Sequence, residues 1–451
     1  PYIDNGNGQV MEDIALAIIL NKTSIQRTKR LKDVLLTSLE TYRKENTEGK
    51  EEIVRENIWA ERDVSLKQDA GSPVVIAIWD TGVDTGIFTG QLWKNPNESF
   101  NNNDDDGNGF VDDVHGIAFD VERRKSTGSL DVDHNLTYSE EQLLAWTKGS
   151  MDLQYNIQSP EALAFQQRIA NLTPEEVRPF QEDLMWFGGY THGTHVAGIA
   201  VDGNPLARIL YTRISSEASI TPSAPTKERH ENTLEMFEDM VKYWQDAGVR
   251  VVNISLRFTP MMYESLFNMH GIGEDREERK QLALEWFEKE KKVLEKAFRN
   301  APEILFICGA GNEANDADFS NYYPASLRLP NLLTIGAVDS EGKRTSFTTT
   351  GQNIEIFANG YEVESYVPGG SRISFNGTSM ASPQVANLAA KMLVMNPDLT
   401  PEEVIRIIHQ TSTISTEDDR IKLIHQKNAI KAAFEANKNH SKNEFDQIIE
   451  N

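Results

Sequence analysis

The chain has 451 residues, with 45 Lys plus Arg against 69 Asp plus Glu and a net charge of −24. That balance opposes non-specific nucleic-acid binding, which needs a basic face, and fits solubility, cation binding or attraction of basic ligands. Hydrophobic residues make up 39% and charged residues 25%, the composition of a soluble globular protein with room for a large core and two or three domains. The single cysteine, Cys308, excludes an intrachain disulfide and a multi-cysteine metal site.

Residues 1 to about 46 carry apolar side chains at helical spacing, among them Ile14, Ile18, Leu31, Val34, Leu35 and Leu39. The apolar run 14–20 is too short for a bilayer and follows Glu12 and Asp13 rather than basic residues, so neither a membrane span nor a signal peptide is expected there. The chain opens on a proline, so a removed leading segment, with any targeting signal in it, is the expectation. Residues 1–70 are expected to form an N-terminal helical extension or a pro-segment-like region. From Pro73 the character changes to short continuous apolar runs: 74–80, 208–214, 249–256, 303–312 and 332–338. Continuous runs of this kind read as strands buried on both faces. Between them lie helical faces, one with Met236, Phe237, Met240, Val241 and Trp244, another with Leu282, Leu284, Phe287, Val293 and Phe298. The alternation predicts an α/β fold of three layers, a mainly parallel sheet with helices on both faces. Sites in such sheets sit at the carboxyl ends of strands, where Asp80, Ser255 and Asn312 fall. Residues 121–185 are polar and rich in Glu and Gln and read as an insertion. "TPEEV" at 173–177 and again at 400–404 is a helix-start signature with a capping box. Residues 416–451 are expected to be a surface helix and a loose tail, after a main domain over 71–415.

Three motifs carry the chemistry. "WDTGVD" puts Asp80 at the end of a buried strand. "THGTHVAGIA" puts His192 and His195 at the start of a small-residue helix. "SFNGTSMASPQV" puts Ser379 at the start of another helix. Pro383 has no N–H and cannot bond the carbonyl of residue 379, so that first turn is loosened and its backbone N–H groups face outward. Gly377 lets the backbone turn tightly. Taken singly, Asp80 reads as a strand-end turn residue, His192 as a helix-terminal polar residue and Ser379 as an N-cap. Taken together they supply a hydroxyl, the imidazole that removes its proton and the carboxylate that orients the imidazole.

With these residues the chain resembles the subtilisin-like serine proteases, the subtilases, over roughly 73–412 with long insertions. All three blocks occur in the family's Asp, His, Ser order. The resemblance implies that Asp80 orients, His192 acts as general base and acid, and Ser379 attacks the scissile carbonyl, with His195 structural. "GAGNEAND" places Asn312 after Gly309, Ala310 and Gly311, matching the family's oxyanion asparagine, and the resemblance implies that these three residues bind substrate. Its amide and the backbone N–H of Ser379 would bind the developing anion. Losing one such donor costs about 10²–10³ in turnover, a magnitude borrowed from subtilisin itself. Ser255 and Leu256 match the family's substrate-pocket wall, whereas Arg257 and Phe258 replace small residues. Arg257 therefore either selects an acidic substrate side chain or pairs with a local acid. The intervals Asp80 to His192 (112 residues) and His192 to Asn312 (120) are long for the family, and Asn312 to Ser379 (67) is not.

"DDDGNGFVDD" at 104–113 offers Asp104, Asp106, Asn108 and Asp112 around a glycine turn, the arrangement a hard cation needs. An EF-hand is incomplete, since its last position would be His115. Similar acidic segments occur in some subtilases, so structural calcium is expected; the bland alternative is an acidic surface loop. The implied function is a serine endopeptidase, of selective processing rather than general degradation, that acts on a protein or peptide substrate, binds no nucleic acid, spans no membrane, is secreted or periplasmic and needs no cofactor for catalysis. The alternatives are a catalytically silent subtilase-fold scaffold, and an enzyme held inactive by residues ahead of the main domain.

Overall fold

The computed structural model describes residues 57–126, 135–317, 321–437 and 445–450. Residues 57–451 make one compact unit, and residues 1–56 lie outside the described residues, as does the helical reading of that segment.

Nine strands make the central sheet. In chain order these are β2 (Val74–Asp80), β3 (Gly116–Phe119), β4 (Ala207–Ile214), β5 (Val251–Ile254), β6 (Leu305–Gly309), β7 (Leu332–Val338), β8 (Ile356–Asn359), β11 (Thr413–Ile414) and β12 (Lys422–Leu423). Their spatial order is β11, β12, β8, β7, β6, β5, β2, β4, β3, and every neighbouring pair is parallel except β11 with β12. Two small antiparallel pairs stand outside it, β9 (Val363–Tyr366) with β10 (Arg372–Phe375), and β1 (Ser65–Leu66) with β13 (Ile449–Glu450).

Side chains alternate across a strand, and here each face has its own core. Ile76, Ile78, Val251 and Ile307 belong to one. It is covered by α3 (Pro174–Val201), α7 (Thr378–Met395), α8 (Pro401–Thr411) and α9 (Gln426–Ala436). Ala77, Trp79, Val252 and Phe306 belong to the other, under α4 (Lys227–Asp246) and α6 (Arg276–Arg299), which follows the short α5 (Pro260–Met269). This is the expected three-layer arrangement. Phe287, Leu294 and Phe298 turn α6 toward the sheet while Leu284 falls off that face and is exposed. Cys308 is a core residue, its thiol pushed up to about 12 by burial.

The inserted stretch contributes α1 (Glu140–Gln154), α2 (Pro160–Ala170) and the first turns of α3. Tyr138, Trp146 and Phe180 pack ring against ring, Phe165 stacks on Phe180, and the Arg168 guanidinium lies over the rings of Tyr138, Trp146 and Phe180. A polar insertion thus has a small apolar core of its own. Its capping box at Thr173 and Glu176 starts α3, which runs without a break through His192. The helix expected to begin at His192 therefore begins at Pro174, because the insertion continues it backwards.

At the other end the expected surface helix and tail is built into the unit. Leu423 is in the central sheet, Ala429, Ile430, Ala433 and Phe434 of α9 are buried, and Phe445 packs on Phe434. Residues 57–70 are likewise part of the main core, through Trp59, Val64, Leu66 and Ala70. Lys391 of α7 is buried between them, bonding the Val64 carbonyl (2.6 Å) and Gln426 (3.3 Å).

Candidate active site

The register brings the motifs to one edge. Trp79 stands opposite Ile254, and Ile254 opposite Cys308, so Asp80, Ser255 and Gly309 lie level at the carboxyl ends of three adjacent strands.

Asp80 is fully buried. Its Oδ1 accepts from the Thr81 amide (2.8 Å), the Thr81 hydroxyl (3.1 Å) and His192 Nδ1 (2.9 Å). A ring nitrogen held by a carboxylate carries the proton, which leaves His192 Nε2 as the free acceptor. Burial by itself would lower the His192 pKa, but the charge and hydrogen bond of Asp80 outweigh it and hold the imidazole above its ordinary value. Gly193 follows because the helix must approach closely here: a Cβ would lie 2.0 Å from the Gly82 carbonyl and 2.1 Å from the Tyr211 hydroxyl. His195 is buried one turn on; its Nε2 donates to the Ile373 carbonyl (3.0 Å), its ring packs on Phe375, and burial holds its pKa down at about 3. A neutral histidine in that setting is structural.

Ser379 is the second residue of α7, after an N-cap at Gly377. Gly377 has φ +146°, which only glycine adopts without strain. Because Pro383 cannot donate, the Ser379 carbonyl is free for another partner, and the Ser255 hydroxyl donates to it at 3.1 Å. Ser255 in turn accepts from Asn253 Nδ2 (3.0 Å). Ser255, read from sequence as a wall of the substrate pocket, thus anchors the first turn of the Ser379 helix.

Asn312 is fixed by the residue next to Ser379. Its Oδ1 accepts from the Thr378 amide (2.8 Å) and the Thr378 hydroxyl (3.0 Å), and that hydroxyl accepts from the Gly311 amide (3.1 Å). The amide nitrogen must then point the other way. The Arg257 guanidinium forms an ion pair with Glu313, the residue after Asn312 in the chain. Glu313 also accepts from the Asn312 amide (3.1 Å). The positive charge read as a possible selector is answered locally. Leu256 packs against the core under α4, and Ala310 is buried in the other core.

The acidic loop assembles differently from its sequence reading. Asp104 and Asp106 come together, joined by Glu98, with ligand atoms of all three within 4.8 Å of one another. Asp112 does not join them, and Asn108 meets both through its main-chain amide, which donates to Asp104 Oδ1 (3.1 Å) and Asp106 Oδ1 (3.1 Å). Asp112 Oδ1 accepts from the Asn101 (2.8 Å) and Asn102 (2.9 Å) amides, and Asn108 bonds Asp113 (3.0 Å) and the Phe110 amide (2.8 Å). Glu98 lies too far ahead of the motif for its spacing to reveal it. It is buried, and its Oε2 has no hydrogen-bond partner among the described residues. An orphaned buried carboxylate oxygen beside two aspartates fits a hard cation.

The subtilase family model matches residues 71–445. The chain belongs to the subtilase family. Subtilisin E of Bacillus subtilis (strain 168) is 28% identical over 245 residues, covering 54% of this chain and 55% of that protein. Proteinase R of Parengyodontium album is 40% identical over 109 residues, covering 24% and 27%. The chain spans about half the length of the first curated relatives it matches, 55% of each. Among solved structures, the PatG macrocyclase domain is similar with a TM-score of 0.50 at 17% identity, covering 81% of this chain and 93% of that one; this likeness is one of fold. No helix of the described residues is long and apolar enough to cross a membrane.

Proposed function

We propose that this subtilase is a serine endopeptidase with Asp80, His192 and Ser379 as its triad. The observation that carries the reading is the buried Asp80 carboxylate bonded to His192 Nδ1 at 2.9 Å, on the same sheet edge as an asparagine locked to the residue beside Ser379. In this reading Ser379 Oγ forms a bond to the scissile carbonyl carbon as its proton passes to His192 Nε2. The carbonyl oxygen takes the negative charge and is met by Asn312 Nδ2 and the Ser379 amide. The C–N bond then breaks as His192 returns the proton to the leaving amine. Water, deprotonated by the same imidazole, releases the acyl group. A fluorophosphonate probe tests this: it is expected to label the chain on Ser379 and to leave Ser379→Ala unlabelled. An unlabelled wild type would favour the scaffold reading.

Selective processing follows from the insertion. Asp152 of α1, 1% exposed, accepts from Asn376 Nδ2 (3.0 Å), three residues before Ser379, so the inserted helices are fastened to the serine loop itself. A cleft bordered in this way admits fewer substrates than an open one. Cleavage of a proteome-derived peptide library is expected to give a narrow set of sites, and broad cleavage would end this part of the reading. Glu98, Asp104 and Asp106 would hold a structural calcium ion, which ties the loop together and takes no part in catalysis. Export from the cell belongs to the same proposal and is checked by fractionation of the source cells.

A further inference from the structure

We propose that Tyr155 is a further catalytic residue, a third hydrogen-bond donor to the oxyanion, delivered by the inserted helix α1. The inference rests on the serine-protease reading above.

Tyr155 is the C-cap of α1, in the insertion and remote in sequence from every motif. Its hydroxyl accepts from Asn312 Nδ2 at 2.9 Å. An amide NH₂ has two hydrogens and a phenol has both a donor and an acceptor side. The bond therefore uses one Asn312 hydrogen and leaves the other for substrate. It also leaves the Tyr155 proton, which has no acceptor among the described residues. The three groups converge. The place a Cβ would occupy on Gly377 lies 3.5 Å from Asn312 Nδ2, 3.6 Å from the Ser379 amide nitrogen and 3.6 Å from the Tyr155 hydroxyl. Residue 377 lacks a side chain, so this corner stays open to an oxygen atom and is lined by three polar hydrogens.

The tyrosine is held rather than draped there. It is 7% exposed, its ring lies 4.7 Å from that of Phe347, and the helix just before it is bound to Asn376 through Asp152. Lys148 (3.0 Å) and Ser159 (2.6 Å) complete the shell of that carboxylate. Preorganised donors of this kind stabilise an anion without reorganising when it forms. Burial is the main cause that pushes the hydroxyl up to about 12, against the nearby Arg257 charge, so it keeps its proton through the neutral range. Accepting the Asn312 hydrogen polarises it into a better donor.

Tyr155→Phe keeps the ring and its packing and removes only the hydroxyl. Its kcat is expected to fall about 10- to 100-fold with KM little changed, the pattern of an interaction made in the transition state. Affinity for a peptide boronate, which forms a tetrahedral anion on the serine, is expected to fall in parallel, and that of a product peptide to stay the same. A fluorinated tyrosine at position 155, whose hydroxyl ionises at lower pH, serves as the second variant and is expected to add an alkaline limb to kcat. Unchanged kcat and boronate affinity in Tyr155→Phe would overturn the proposal. A faster Tyr155→Phe would also overturn it, since the hydroxyl would then be blocking Asn312. If the wild type takes no fluorophosphonate, the serine-protease reading fails and Tyr155 loses its role with it. If the wild type is labelled and Tyr155→Phe behaves as wild type, only the inference about Tyr155 fails.

Discussion

His192 is about one-fifth exposed, and Asp80, fully buried, holds its Nδ1. General-base catalysis needs the neutral imidazole. A pKa raised above the ordinary 6.5 means that the imidazole still carries its proton at pH 6.5 and loses it only at higher pH. The acid limb of kcat/KM is therefore expected to have its midpoint above 6.5. A midpoint below that would mean that burial, not Asp80, dominates. Asp80→Asn leaves the imidazole without its anchor and is expected to lower kcat by about 10⁴. The Arg257–Glu313 pair leads to a second expectation. Removing Arg257 uncovers Glu313 near the candidate oxyanion corner, so Arg257→Gly is expected to shift cleavage toward basic substrate side chains. Peptide-library profiling of both proteins decides this, and unchanged profiles would show that Glu313 does not face substrate. Asp80, His192, Asn312 and Ser379 could be picked out from sequence because each sits in a short motif with its own local logic. Glu313 as the partner of Arg257, Glu98 and Tyr155 were not, because their roles depend on contacts that only folding makes.

At the scale of elements, α7 shows how a sequence detail becomes a support. The lack of an N–H at Pro383 could be read directly from the chain, and so could the orphaned carbonyl at Ser379. The donor that answers it, Ser255, lies 124 residues away and comes into reach only because β5 ends level with the start of α7. Ser255→Ala is expected to cost about 1–3 kcal/mol in chemical denaturation, the range for a carbonyl left without its partner. It is also expected to lower kcat while leaving Ser379 present. Unchanged stability would mean that water replaces the hydroxyl at no cost. The boundaries of α3 were less legible. The small residues around His192 look like a beginning, yet the capping box at Thr173 and Glu176 lies upstream, and nothing between breaks the helix, Pro179 included.

On the scale of the whole molecule, the parallel sheet and its two covered faces followed from continuous apolar runs alternating with helical faces. The closing elements did not, since β11, β12 and β13 are two residues each and carry no periodic signal. The acidic loop gives the stability prediction at this scale. Calcium is expected to raise the melting temperature and chelator to lower it, with Glu98→Gln abolishing the difference. Equal melts in both conditions would leave Glu98, Asp104 and Asp106 as a plain acidic cluster.

The ladder between Ser65–Leu66 and Ile449–Glu450 places the first and last strands of the described residues side by side. A gene that joins them through a short flexible spacer and opens the polypeptide instead at the turn 270–275 would encode the same sheet in a new order. The serine block would then precede the aspartate block along the translated chain. Activity in such a permutant would show that the order of these blocks records ancestry and is not something the chemistry requires.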